Sequence, residues 1–551
     1  MGKGNLKAKT KSKAKAGSGG KTRNLGFWLE HIGNILAWAV VLTYFIVLPL
    51  YFQNGYELIA TRKYQCLMGI SKYAAIICGV YVLAHMSLWG MNKEERDAYK
   101  PLWGMDLGAL SFVLFAFLSH LLSDYKVEGA KNDFFFYEGS LYGASGWYMG
   151  FMTFLVVVCL YFFVSRYFRY SNYIWIPVLF VALVEFVWGN LNRYGIYPIE
   201  MEYATPSFIA SFGNINWFAG FVSVLVPVLS GFFWGTKKRW VKWALIVPLL
   251  ISDATILLNG SDSLVVGYSL MLFVLLLVSL KSERGLSAFS EILMLFALGA
   301  FIIGVLDKCF PDLRSAGTVL GDILLLPAIA VLLFLAGLVV KIYTIAVKKE
   351  KVKYPEWVGK RLPRILGIFA ASCVGLLVVL IVVNTVTEGK VPVVGRSEWF
   401  TFGPFWASNR GATWTSGWLT FKDLPLGKKL IGVGPDMFYY GLCDNETAFE
   451  YAKEVFGDAR LTNAHNELLN HLVNVGILGA SAFVFMCVNA LKLFFKEAKE
   501  NPFVIGFALS LVAYLGNNIF SFEQITSVPF MYLVLAMGGA CVVKLNKERK
   551  L

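Results

Sequence analysis

Charged residues are scarce in this chain: they make up 16% of 551 residues, against 57% hydrophobic. Soluble domains carry roughly a quarter charged residues, so a soluble globular protein is excluded. Cysteine is sparse and scattered, with eight in all. None forms a CxxC pair and none stands at ligand spacing from a histidine, which argues against a disulfide framework and a structural zinc motif. No metal and no cofactor is expected. Tandem repeats and two homologous halves are also missing, and that weighs against the repeat-built transporter architectures.

What the chain has instead is apolar windows long enough to cross a bilayer. About fourteen recur, centred near Tyr44, Tyr81, Leu114, Val156, Phe180, Val224, Pro248, Phe273, Leu298, Leu332, Val374, Phe483, Leu509 and Val534. The expected fold class is therefore all-α integral membrane. The formal charge of +14 follows from where the basic residues sit. They fall in alternate loops: Lys3 to Arg23, Lys93 to Lys100, Arg166 and Arg169, Lys237 to Lys242, Lys281 and Arg284, Lys348 to Arg364, Lys496 and Lys499, and Lys544 to Lys550. That alternation is a positive-inside pattern and places both termini in the cytoplasm. The basic excess is a topology signal, with no nucleic acid implied; the Lys3 to Arg23 tail can also touch anionic lipid. The first apolar run is long enough to span, so a cleavable signal is not expected.

The resulting division is a basic cytoplasmic tail (1–30), a membrane domain of about eleven helices (31–384), a long extracytoplasmic loop (385–464), about three further helices (465–545) and a short cytoplasmic tail (546–551). The 385–464 loop, between the eleventh and twelfth helices, is too polar to span and too aromatic to be a disordered linker. Trp399, Phe400, Phe402, Phe405, Trp406, Trp414, Trp418 and Phe421 read as a small lid at the interface, with an amphipathic helix over Arg410 to Phe421. Long loops in compact proteins are where substrate contacts concentrate.

Several residues on this outer face can carry chemistry. His465, followed by Asn466, opens an apolar helix with Asn463 as its expected cap. The positive helix end disfavours imidazolium, and a neutral imidazole can accept a proton from a hydroxyl. An interfacial hydrogen-bonding role is the alternative. His471 points to another face and reads as structural. Arg410, in Asn409-Arg410-Gly411-Ala412-Thr413-Trp414, carries a permanent planar charge suited to an oxyanion, and taken alone reads as a lipid-headgroup contact. The later Gly432-Val433-Gly434 turn offers backbone N–H groups to the same anion. Asn214 and Asn216, at the mouth of a helix containing Ala219 and Gly220, can hydrogen-bond hydroxyl groups or act as caps. Glu185 and Asp253 lie in apolar helices, where ionisable groups require partners; Arg193 and Arg410 are the expected ones. Asp444, Asn445 and Glu446 read as a solvated loop.

Three of these segments in order, Gly-Asn-x-Asn with Ala-Gly, Arg410 with Trp414 and the Gly-x-Gly turn, and His465-Asn466 followed by Gly476-x-x-Gly479, resemble the O-antigen ligase and polysaccharide polymerase superfamily. The resemblance covers roughly Phe212 to Gly479. It implies a metal-independent, inverting glycosyltransferase of a bacterial cytoplasmic membrane. Its donor would be a polyprenyl-pyrophosphate-linked glycan and its acceptor a hydroxyl of a glycan, lipid or cell-wall component. His465 would be the base and Arg410 the pyrophosphate clamp, with Asn466, Trp414, Asn214 and Asn216 around the substrate. The family's Ser-Arg pair is replaced here by Asn259-Gly260-Ser261-Asp262, so Arg193 or Arg314 is expected to supply the second cation. A repeat-unit polymerase of the same superfamily is the alternative reading, and a lipid-linked oligosaccharide flippase is the alternative from another class.

Overall fold

The computed structural model describes residues 16–53, 55–91, 102–126, 139–315, 317–392 and 394–548. Residues 1–15 of the basic tail, the Lys93 to Lys100 loop, 127–138 of the Asp124 to Ser145 loop and residues 549–551 lie outside them. The regular structure of the described chain is helical apart from one two-stranded antiparallel ribbon, Phe208–Ile209 against Gly213–Asn214. Twelve helices among the described residues are long and apolar enough to cross a membrane. The other two expected segments are the shorter apolar helices Phe151–Tyr167 and Pro502–Asn517.

These segments are not equivalent. At the centre is Ile215–Gly235, with 94% of its apolar window buried, beside Val528–Leu545 at 83%. The Ile505–Asn517 helix packs between Ile215–Gly235 and Asp262–Ser279. At the other extreme, none of the apolar stretch of Leu362–Val386 is buried, although its hydropathy is the highest of the twelve. Apolar surface left uncovered at that hydropathy is what a lipid-facing helix presents.

Small residues set the central spacing. A Cβ on Gly231 would stand 2.4 Å from the Gly506 Cα and 2.6 Å from its N, so the two backbones touch directly, as close membrane helices do. Gly231→Ala is expected to lower stability by roughly 1–3 kcal/mol through overpacking. Gly375→Ala, on the uncovered helix where an added Cβ meets no described atom within 4 Å, is expected to be neutral or slightly stabilising. Thermal unfolding of both variants in detergent checks the contrast; equal midpoints would contradict this packing.

The 385–464 segment is more than a self-packing aromatic lid. It contributes the helices Trp406–Asp423, Leu426–Ile431, Phe438–Cys443 and Glu446–Phe456. Phe421, Val433, Met437, Phe438, Leu442, Ala448 and Leu461 join Val473 and Ala144 in a second apolar core. Part of the aromatic set packs there or on the 520–522 segment, while Trp399, Phe405 and Trp418 stay exposed. The intramembrane acids also find other partners than the arginines expected from sequence. Glu185 accepts from Ser211 N at 3.1 Å and lies beside Lys63, and Asp253 accepts from the Tyr268 hydroxyl at 2.7 Å.

Candidate functional site

A cavity of about 420 Å3 opens where the 385–464 segment meets the helix mouths. Its lining includes Trp147, Asn216, Ser408, Asn409, Arg410, Thr413, Arg460 and His465. Arg410, His465 and Asn216 come from three separate sequence motifs, and the fold brings all three to this one space.

Local backbone explains how. The Trp406–Asp423 helix is broken at its start: Ala407, Ser408 and Asn409 have φ of 49°, 58° and 67°. His465 is also left-handed, with φ 47°. Non-glycine residues in that region cost on the order of 1 kcal/mol each and are held there by their surroundings. Strained backbone thus brackets the cavity on both sides. Arg410 secures the first turn by donating from Nη1 to the Ala407 carbonyl at 2.9 Å, and from Nε to the Phe520 carbonyl at 2.7 Å. Its Nη2 has no hydrogen-bond acceptor among the described residues. Burial lowers the Arg410 pKa from its ordinary value, opposed by the nearby Asp262 carboxylate.

His465 is held by its main chain. Its N–H donates to Asn463 Oδ1 at 3.1 Å, and its carbonyl accepts from Trp414 Nε1 at 3.4 Å. The ring meets Phe522 edge to face at 5.4 Å, and no described side chain hydrogen-bonds its nitrogens. Burial, and then the charge of Arg410, hold the His465 pKa down to about 4. The imidazole is therefore neutral at neutral pH, and an anion at Arg410 would offset the second cause.

Some expected details are corrected. Asn463 does not cap the following helix. Asn466 does, accepting from Leu469 N at 2.9 Å while its Nδ2 donates to the Ile519 carbonyl at 3.0 Å. The Gly432-Val433-Gly434 turn does not face an anion: the N–H groups of Val433 and Gly434 donate to the Val473 and Asn474 carbonyls, both at 3.0 Å. Asn445 caps the Glu446–Phe456 helix, and Asp444 accepts from the Tyr125 hydroxyl.

Other candidates lie behind the cavity rather than in its lining. Asn214 caps Ile215–Gly235 by accepting from Asn216 N at 2.8 Å. Trp414 stacks on Phe520 at 5.7 Å and steadies the His465 loop. Arg193 is buried, donates to the Pro206 carbonyl and sits against Gly260. Arg314 is paired with Asp307 at 2.6 Å and Asp322 at 2.8 Å. The second cation in the lining is Arg460, whose guanidinium lies 4.4 Å from the Tyr439 ring centroid. No sequence motif marked it; its nearest sequence signal is that it stands five residues before His465.

From the cavity a buried polar chain runs inward. Ser261 Oγ donates to Asn216 Oδ1 at 2.7 Å and lies 2.8 Å from Ser263 Oγ, which donates to Asn517 Oδ1 at 2.9 Å. Asn517 donates to Asn518 at 2.7 Å, and Asn518 to Glu467 Oε2 at 3.0 Å. No family model matches this chain, and no curated protein does.

Proposed function

We propose that this protein is an integral membrane glycan transferase of the O-antigen-ligase type, acting on a polyprenyl-pyrophosphate-linked glycan. The observation that carries the reading is the convergence of His465, Arg410 and Asn216 on one cavity that also holds Arg460. Two guanidinium groups at one space suit a pyrophosphate, which offers several acceptor oxygens for planar, charge-assisted hydrogen bonds. His465 offers a neutral nitrogen for the acceptor hydroxyl, and Asn216 an amide for a sugar.

In this reaction the acceptor oxygen attacks the anomeric carbon as its proton passes to the His465 imidazole. The bond from that carbon to the phosphate oxygen breaks, and polyprenyl pyrophosphate leaves with the electron pair. Arg410 and Arg460 stabilise its charge. Fixed donors aimed at developing charge in a partly water-excluded site are an effective form of catalysis. A cavity lined by loops and helix mouths favours an enzyme over a flippase, which needs its polar site near the membrane midplane. In this reading the cavity faces outward from a bacterial cytoplasmic membrane with both termini inside, and the positive-inside pattern supports that orientation.

The test is donor binding. Arg460→Ala is expected to weaken binding of a purified polyprenyl-pyrophosphate glycan by about ten-fold or more, the order of a charge-assisted hydrogen bond. Arg314→Ala, whose side chain is committed to Asp307 and Asp322, should leave binding unchanged in protein of equal thermal stability. Unchanged binding in Arg460→Ala would move the anion site out of this cavity.

A further inference from the structure

At the inner end of the polar chain, Glu467, His471 and Glu523 come together with one ligand atom from each, all within 4.8 Å of one another. All three are buried, at 4%, 1% and 3% exposure. We propose that this cluster is a structural site for one divalent transition cation of the zinc type. The inference is independent of the transfer chemistry.

Several observations support it. Among the described residues, both ring nitrogens of His471 and Glu523 Oε2 are buried without a hydrogen-bond partner, although buried polar atoms are almost always satisfied. His471 Nδ1 lies 3.6 Å from Glu523 Oε1, and donors around a tetrahedral zinc, with bonds near 2.0–2.2 Å, stand roughly 3.4 Å apart.

The charge argument points the same way. Two carboxylates share one buried site, and the described groups acting on Glu467 are Glu523, His471, Asn518 and Tyr514, with no lysine or arginine among them. Two buried negative charges without compensation are strongly unfavourable. A divalent ion with a neutral imidazole makes the site neutral. The donor set is one nitrogen and two carboxylates with no thiolate, which suits zinc and its first-row neighbours.

The ligands are also oriented from behind, as metal carboxylates commonly are. Tyr514 OH donates to Glu467 Oε1 at 2.9 Å, Asn518 Nδ2 to Glu467 Oε2 at 3.0 Å, and Asn470 Nδ2 to Glu523 Oε1 at 3.3 Å. Glu467 and His471 sit one turn apart on the Glu467–Asn474 helix, while Glu523 belongs to the segment that also carries Phe520 and Phe522. The ion would join these two pieces, and with them the Arg410 and His465 walls of the cavity.

Full-length protein purified without a histidine tag is analysed for metals, then stripped with a chelator and offered Zn2+ alone. About one metal per chain is expected, with His471→Gln and Glu523→Gln each retaining about a tenth or less. Tyr514→Phe, which keeps all three ligands, is expected to weaken Zn2+ binding by roughly ten-fold or more. Stripping should lower the thermal midpoint of the wild type, and Zn2+ should restore it. Wild-type protein that carries no stoichiometric metal and takes up no Zn2+ would overturn the proposal and leave the carboxylates neutralised by protons. Unchanged metal content in both ligand variants would overturn it equally.

Discussion

His465→Ala is expected to slow glycan transfer by two to four orders of magnitude, about 3–5 kcal/mol of barrier, the usual worth of a general base. Donor binding should change little, because the imidazole acts on the acceptor proton and not on the phosphates. The ring is well placed for this selectivity: its loop is fixed through main-chain bonds to Asn463 and Trp414, neither of which the substitution removes. Transfer and donor binding measured on the same preparation separate the roles. Normal turnover in a folded variant would reduce His465 to a residue of the helix mouth.

Arg410 gives the second large effect, with the opposite signature. Arg410→Ala is expected to cost roughly 10²–10³-fold in transfer, and donor affinity should fall with it. Arg410→Lys should recover little. A lysine keeps the charge but lacks the planar fork, so it cannot hold the Ala407 and Phe520 carbonyls and still present donors to an anion. Asp262 stands close enough to oppose the pKa-lowering effect of burial on Arg410, so Asp262→Asn should strengthen donor binding modestly. A wild-type rate in Arg410→Lys would show that the fork is not needed.

The membrane helices were legible because hydropathy reports on solvent, and the most apolar of them, Leu362–Val386, is also the least buried. The same scale cannot distinguish a lipid-facing helix from a central one. Phe151–Tyr167 and Ile505–Asn517 read like other spans, yet they are shorter and the second is packed on all sides. Within the site, His465, Arg410 and Asn216 were legible as polar groups at helix mouths. Arg460 was not, since an exposed arginine in a short connection resembles any surface charge. Asn214 and Asn216 show the limit of spacing arguments: two residues apart, one caps the helix and the other lines the cavity. Glu467 and His471 stand one helical turn apart, but that spacing alone did not mark them: His471 read as structural and Glu467 was not singled out. Glu523 was hidden because its partnership depends on a contact between distant segments.

The central claim is that this cavity transfers a glycan from a pyrophosphate carrier. The most direct measurement reconstitutes the wild-type protein in nanodiscs with a purified polyprenyl-pyrophosphate glycan and a hydroxyl acceptor. Release of polyprenyl pyrophosphate and the anomeric configuration of the new bond are then followed. Stoichiometric release with inverted product is expected, slowed roughly 10²–10³-fold in Arg410→Ala and by about two to four orders of magnitude in His465→Ala. Inverting transfer that proceeds at the wild-type rate in both variants would contradict the assignment of this cavity.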